Sequence, residues 1–273
     1  MKTTLLISLI TGVLTAVGAA PLESSTFTEV IRDVNILPAT SDSTLPAHVN
    51  DVLKAPDRVR TGPRSRAELT APDQTITRVG ANTIFSFDGK NRTLNLEQGS
   101  LLFHAPKGIG GGIIKSGGAA AAVLGTTMIV VATPTGGFKV LFLEGHGLVT
   151  LPGGQSLTLR AGELVFVLPG KAGFSPRYYF NLEKLAASSG LLNGFPDVLS
   201  SLPLINKAIA RQQDALAFGN LSDTGQPLYY FGYLPGGPGS FADPTLAHTS
   251  ITTQLPLPVG NRGSGDNGPP VYP

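Results

Sequence analysis

The sequence predicts an all-β protein: a multi-stranded domain of solenoid or sandwich type, then one or two short helices and a disordered tail. Three observations predict it. Short β-branched or alternating apolar runs fill residues 49–169, spaced about eight to twelve residues apart and bounded by Gly, Pro, Asn or Asp. Gly (34) and Pro (22) are plentiful, as many tight turns require. Nothing of helical period and useful length interrupts the runs.

Taken in order, the elements begin with an export signal. Lys2 supplies a positive start, residues 5–17 are apolar apart from Ser, Thr and Gly, and Val17-Gly18-Ala19 offers small residues to a signal peptidase. Residues 1–19 therefore read as a cleaved signal peptide. The apolar run falls short of the roughly twenty residues a membrane helix needs. The mature form is expected to have no membrane span and to be exported, to the periplasm or beyond.

Residues 26–170 read as one β domain. Its first strand is expected over 26–37, followed by a loop over 38–47. The later strands are expected at 67–70, 75–79, 83–87, 93–96, 101–104, 113–115, 121–124, 128–132, 138–143, 148–151, 156–159 and 164–168. Ile84, Ser86 and Asp88 face one way while Thr83, Phe85 and Phe87 face the other. The run 128–131 is apolar on both faces and belongs in the centre of a sheet.

Residues 171–220 read as a helical extension, with a short helix over 181–188 and a longer one over 203–217. In the longer helix Ile205, Ala208, Ile209, Gln212 and Leu216 share a face, Pro203 sits in the first turn and Gly219 stops it. So narrow an apolar face must pack on the β domain. Residues 221–273, rich in Pro, Gly, Ser and Thr, are expected to be largely disordered. Tyr229, Tyr230, Phe231 and Tyr233 form an aromatic island there, either a strap on the domain surface or a partner-docking surface.

The chemistry is mostly excluded. Without Cys there is no disulfide, thiolate metal site or cysteine nucleophile. His48, His104, His146 and His248 are too scattered for a metal pair, and His104 and His146 read as strand-end and turn residues. No G-x-S-x-G elbow exists. In the glycine-rich stretch 108–112, Lys107 precedes the glycines and no helix follows, so a hairpin connection is expected rather than a phosphate loop. The net charge of +2 is small, and Arg58, Arg60, Arg64 and Arg66 stand between Asp57 and Glu68, which argues against nucleic acid. Glu144 and Glu163 are the one acidic pair that a polysaccharide-active enzyme would need close together. Each lies beside a Gly at a strand end and is expected to face water.

Two blocks carry a resemblance. The first holds Arg60-Thr61-Gly62, Ser65-Arg66-Ala67-Glu68-Leu69 and Asn82-Thr83. The second holds Gly125-Thr126, Glu144-Gly145 and Ala161-Gly162-Glu163. Their glycines sit where strands must turn sharply, and Thr126 is placed to bond a turn carbonyl. In this order the motifs resemble the FecR domain family over residues 49–170. The resemblance implies a periplasmic receptor domain. In the best-known members it is joined through one membrane helix to a cytoplasmic segment that holds a sigma factor. Only Met1-Lys2 precedes the apolar segment here, so the sigma-regulator and transmembrane portions are expected to be missing. The family motif implies structural rather than catalytic roles, and no cofactor is expected. The expected function is an exported, non-enzymatic module that binds an envelope protein or surface polymer. The alternatives are a structural surface or matrix protein and a polysaccharide-active enzyme.

Overall fold

The structure, a computed structural model, describes residues 22–89 and 91–218. The expected signal peptide, the tail and the aromatic island at Tyr229, Tyr230, Phe231 and Tyr233 lie outside the described residues. The chain opens with β1 (Ser24–Ile31), β2 (Val34–Leu37), β3 (Leu45–Pro46), β4 (Val52–Lys54), β5 (Arg58–Thr61), β6 (Arg66–Thr70) and β7 (Ile76–Val79). It continues through β8 (Ile84–Phe87), β9 (Thr93–His104), β10 (Gly112–Ser116), β11 (Ala119–Val123) and β12 (Thr127–Ala132). The last strands are β13 (Phe138–Glu144), β14 (His146–Thr150), β15 (Ser156–Arg160), β16 (Glu163–Val167) and β17 (Tyr178–Tyr179).

These strands form two layers that share β9. The first layer runs β4-β1-β6-β7-β9-β12-β13-β16-β17, antiparallel throughout. The second runs β3-β2-β5-β8-β9-β10-β11-β14-β15 and is antiparallel except where β9 meets β10. The amino-terminal half of β9 pairs with β8 in the second layer, and its half from Gly99 to His104 pairs with β12 in the first. Gly99 makes the transfer possible. It holds φ +91°, and a Cβ there would collide with the Thr83 backbone.

Strand alternation points one set of side chains between the layers. Phe27, Leu69, Phe103, Val130, Val140 and Phe142 from the first layer meet Val59, Phe85, Leu96, Ile114, Val149 and Leu159 from the second in one buried cluster. Each such side chain contributes roughly 1.5–3 kcal/mol relative to exposure. A second core lies on the other face of the first layer. There Leu102, Ile129, Leu141, Leu143, Leu164 and Phe166 meet Phe180, Leu182, Leu185, Leu191, Leu199 and Ile205 from the helical segment.

That segment comprises α1 (Leu182–Ser188), α2 (Gly190–Asn193) and α3 (Leu202–Ala217). The Asn181 side chain caps α1 by accepting from the Lys184 N–H at 3.0 Å. Pro203 stands in the first turn of α3, as expected, and Ile205, Ala208 and Ile209 face the second core. The Gln212 amide ties α3 to the start of α1, accepting from Leu182 N–H at 2.8 Å and donating to the Phe180 carbonyl at 2.8 Å. Among the described residues no helix is long and apolar enough to cross a membrane.

The fold differs from expectation at several points. The single strand expected over 26–37 is two, because Arg32 at φ +67° turns the chain from the first layer into the second. The two strands expected at 93–96 and 101–104 are one, because β9 bends at Gly99 without breaking. The glycine-rich stretch is a crossover rather than a hairpin, because β10 pairs parallel to β9. The short strands β3, β4, β5 and β17 were not expected. Each has at most four residues, too few for a period to show.

Candidate functional site

The residues of the two sequence blocks gather at two seams where the chain changes layer. At the first seam Thr61 is the hub. Its N–H donates to the Thr83 carbonyl at 2.9 Å, its hydroxyl donates to the Gly80 carbonyl at 2.6 Å, and the Thr83 N–H returns a bond to that hydroxyl at 3.0 Å. The Gly62 N–H donates to the Asp33 carbonyl at 2.9 Å, and the Asp33 N–H donates to the Ser65 hydroxyl at 3.1 Å. Gly62 is required by contact, since a Cβ would run into the Asp33 carboxylate. Asn82 adopts φ +52°, the left-handed conformation that Asn tolerates. Thr83 and the Ser100 N–H, 3.0 Å apart, then fix the bend of β9. Arg66 starts β6 beside Gly194, where a Cβ would press on its guanidinium.

The second seam lies at the other end of the first-layer strands. Gly125, Gly145 and Gly162 have φ +67°, +71° and +82°. The Thr126 hydroxyl donates to the Glu144 carbonyl, the Gly162 N–H to the Phe142 carbonyl at 2.9 Å, and the Ala161 N–H to the Gly145 carbonyl at 3.1 Å. Thr61, Gly62, Ser65, Arg66, Asn82, Thr83, Gly125, Thr126, Glu144, Gly145, Gly162 and Glu163 therefore stand where strands pass from one layer to the other.

Both carboxylates expected to face water are buried instead, Glu144 at 5% exposure and Glu163 at 6%. They engage separate partners. Glu163 accepts from the Arg160 N–H at 2.9 Å and from Arg177 at 3.3 Å. Glu144 accepts from the Thr127 hydroxyl at 2.9 Å. Thr127 also lies 3.0 Å from His104 Nδ1 and 2.8 Å from the Ser201 hydroxyl, just ahead of α3. The one Thr127 proton is shared between the Glu144 carboxylate and the Ser201 hydroxyl, and its roles toward His104 Nδ1 follow the imidazole tautomer. Burial pushes the Glu144 carboxyl up, against the opposing pull of Thr127 and Lys107. Burial also pushes the His104 imidazole down, offset in part by a hydrogen bond with the Thr126 backbone. Thr127 and Ser201 are sealed at 0% and 1% exposure, so this cluster pins α3 to the sheet and presents no nucleophile.

A second polar anchor was missed by sequence reading. Arg78 is fully buried on the outer face of the first layer. It donates to Glu68 at 2.6 Å, to the carbonyls of Leu191 and Leu192 at 3.2 and 3.0 Å, and to that of Asp197 at 2.6 Å. Its guanidinium stacks 4.5 Å above the Phe195 ring. One planar fork thus binds sheet, acid and helical segment together. Its carbonyl partners lie over a hundred residues away, so no local pattern marks it. Arg92 plays a similar part at the glycine-rich stretch, donating to the Gly111 carbonyl at 2.6 Å, Asp73 at 2.5 Å and Thr75 at 2.9 Å. Burial would raise the Asp73 carboxyl, but its bonds to Thr75 and Arg92 win and hold it below its ordinary value. Among the described residues no His, Asp and Glu cluster could hold a metal ion.

The outer face of the second layer has no such cover among the described residues. Ile113, Ala122, Leu148 and Thr158 form one cross-strand row there, and Lys115, Ala120, Thr150 and Ser156 the next. Leu148 is 41% exposed, Lys115 and Thr158 are exposed, and the alanines are half-buried. The face thus carries small apolar residues flanked by a lysine and hydroxyls. Further along the layer Arg58 and Glu97 form an exposed pair at 3.4 Å, a contact worth little.

Known proteins bear on this arrangement as follows. Residues 57–146 match the family model described as FecR protein. Two crystal structures, each of "a putative anti-sigma factor from Parabacteroides distasonis ATCC 8503", are similar at 20% identity, with a TM-score of 0.42. Each match covers 48% of this chain and 63% or 62% of that one, so it spans less than two thirds of those proteins. No curated protein matches. The resemblance read from the turn residues therefore stands where it is tested, and residues 57–146 carry the FecR domain match.

Proposed function

We propose that this chain is an exported, non-enzymatic interaction module that binds an envelope protein or a surface polymer through the outer face of its second β layer. One observation carries the reading: among the described residues, one outer face of the sandwich is covered and the other is open to water. The FecR match supports a regulatory or binding role. Export rests on the positive, apolar and small-residue succession of residues 1–19. The buried acids and hydroxyls work as internal fasteners, which fits a binding domain better than a polysaccharide-active enzyme.

The test is a crosslinking pull-down from envelope extract with the full chain, with Leu148→Glu, and with Lys115→Glu. A partner captured by the wild type and lost from folded Leu148→Glu supports the reading. Undiminished capture by both folded variants contradicts it.

A further inference from the structure

Among the described residues the second layer ends at β15, and an ion pair lies across that edge. Leu151 N–H donates to the Gln155 carbonyl at 2.9 Å and Ala161 N–H to the Gly145 carbonyl at 3.1 Å, which frames the β14–β15 ladder. By antiparallel alternation, Leu157 and Leu159 bond to β14, and the backbones of Ser156, Thr158 and Arg160 point outward. One ion pair occupies that outward edge. The Arg160 N–H donates to Glu163 at 2.9 Å, and Arg177 donates to the Thr158 carbonyl at 3.1 Å while holding Glu163 at 3.3 Å. Arg177 is 38% exposed, so it can leave without opening the core.

We infer that β15 is a self-docking edge held shut by the Glu163–Arg177 pair, and that its occupant once Arg177 lets go is the β15 of a second copy of this chain. The strand is complementary to itself. In an antiparallel pair centred on Thr158, each Thr158 faces its counterpart, Leu157 faces Leu159, and Arg160 faces Ser156. No like charges meet across that register, and the two Thr158 residues exchange both backbone hydrogen bonds. The layer then continues from one copy into the next, as strand addition does at other sheet edges. The inference stands on β15 alone and does not need the docking face of the second layer.

The test uses the full chain with Arg177→Ala and measures self-association by sedimentation. The variant is expected to dimerise about tenfold more tightly than the wild type, the scale of one charged hydrogen bond. Adding Thr158→Pro is expected to restore the monomer, because Pro is tolerated on an edge but cannot complete the pairing. The chain has no Cys, so register is read with single cysteines. Thr158→Cys in the Arg177→Ala background should crosslink on oxidation faster than Ser156→Cys, since paired Cα atoms about 5.5 Å apart suit a disulfide. The conservative Glu163→Gln releases the same latch and should behave like Arg177→Ala. The inference is overturned if both latch variants stay folded and monomeric, if Thr158→Pro leaves dimerisation unchanged, or if Ser156→Cys crosslinks as fast as Thr158→Cys.

Discussion

The two outer faces of the sandwich follow the same alternation yet meet different fates. Across the first layer one row reads Glu68, Arg78, Leu102, Ile129, Leu141 and Leu164. Across the second a comparable row reads Arg58, Ser86, Asn95, Lys115, Ala120, Thr150 and Ser156. The first row is apolar for four strands and ends in a buried ion pair, so it cannot be left in water. The helical segment covers it, and the ion pair at its end becomes the anchor that holds the cover. The second row is polar or small and tolerates solvent. A strand that is apolar on both faces therefore announces an internal cover, and an alternating strand can leave one face in water.

Breaking the anchor is the largest test of that difference. Arg78→Ala leaves Glu68 buried without its cation and is expected to cost about 3–5 kcal/mol, read by denaturant unfolding. Next comes truncation of one leucine on each face. Leu141→Ala should cost about 2–5 kcal/mol, because it opens a cavity between sheet and helices. Leu148→Ala should stay within about 0.5 kcal/mol of the wild type. Similar costs for the two leucines would show that the second face is also covered.

A pH series sharpens the comparison on the covered face. The Glu144 carboxyl is pushed up in the fold by burial, so its contribution is full at low pH and is lost as pH rises through the folded value. Gln keeps the acceptor for Thr127 and never ionises. Glu144→Gln should therefore be at least as stable as the wild type near about pH 8, with the gap closing by about pH 4. His104, pushed down, works in the opposite sense: its contribution is present above its unfolded value and lost as pH falls through the folded one. It is common to both proteins and drops out of the difference. A gap that widens on acidification would show that Glu144 is held ionised.

Much of the fold was legible because it is local. Periods of two placed most strands, and the doubly apolar run at 128–131 marked the central β12. The turn glycines and Thr126 were legible as punctuation, since a positive φ is a demand on one residue. What was not legible depends on distant partners. Nothing near Glu144 or Glu163 in sequence shows that Thr127, itself bonded to Ser201, engages the first or that Arg177 engages the second. Arg78, in a run of Ile, Thr, Arg and Val, reads as an outward polar residue until carbonyls from 191, 192 and 197 arrive. The bend of β9 was missed because its Gly looks like a strand break, whereas its absent side chain lets Thr83 approach.

The most direct measurement places a photocrosslinking side chain at Leu148 on the open face and, separately, at Lys207 on the exposed side of α3. Both variants are irradiated in envelope extract. A discrete crosslinked product is expected from Leu148, diminished by Lys115→Glu, and none from Lys207, which is exposed. A product from Lys207 with none from Leu148 would contradict it, because the helical cover would then be the docking surface.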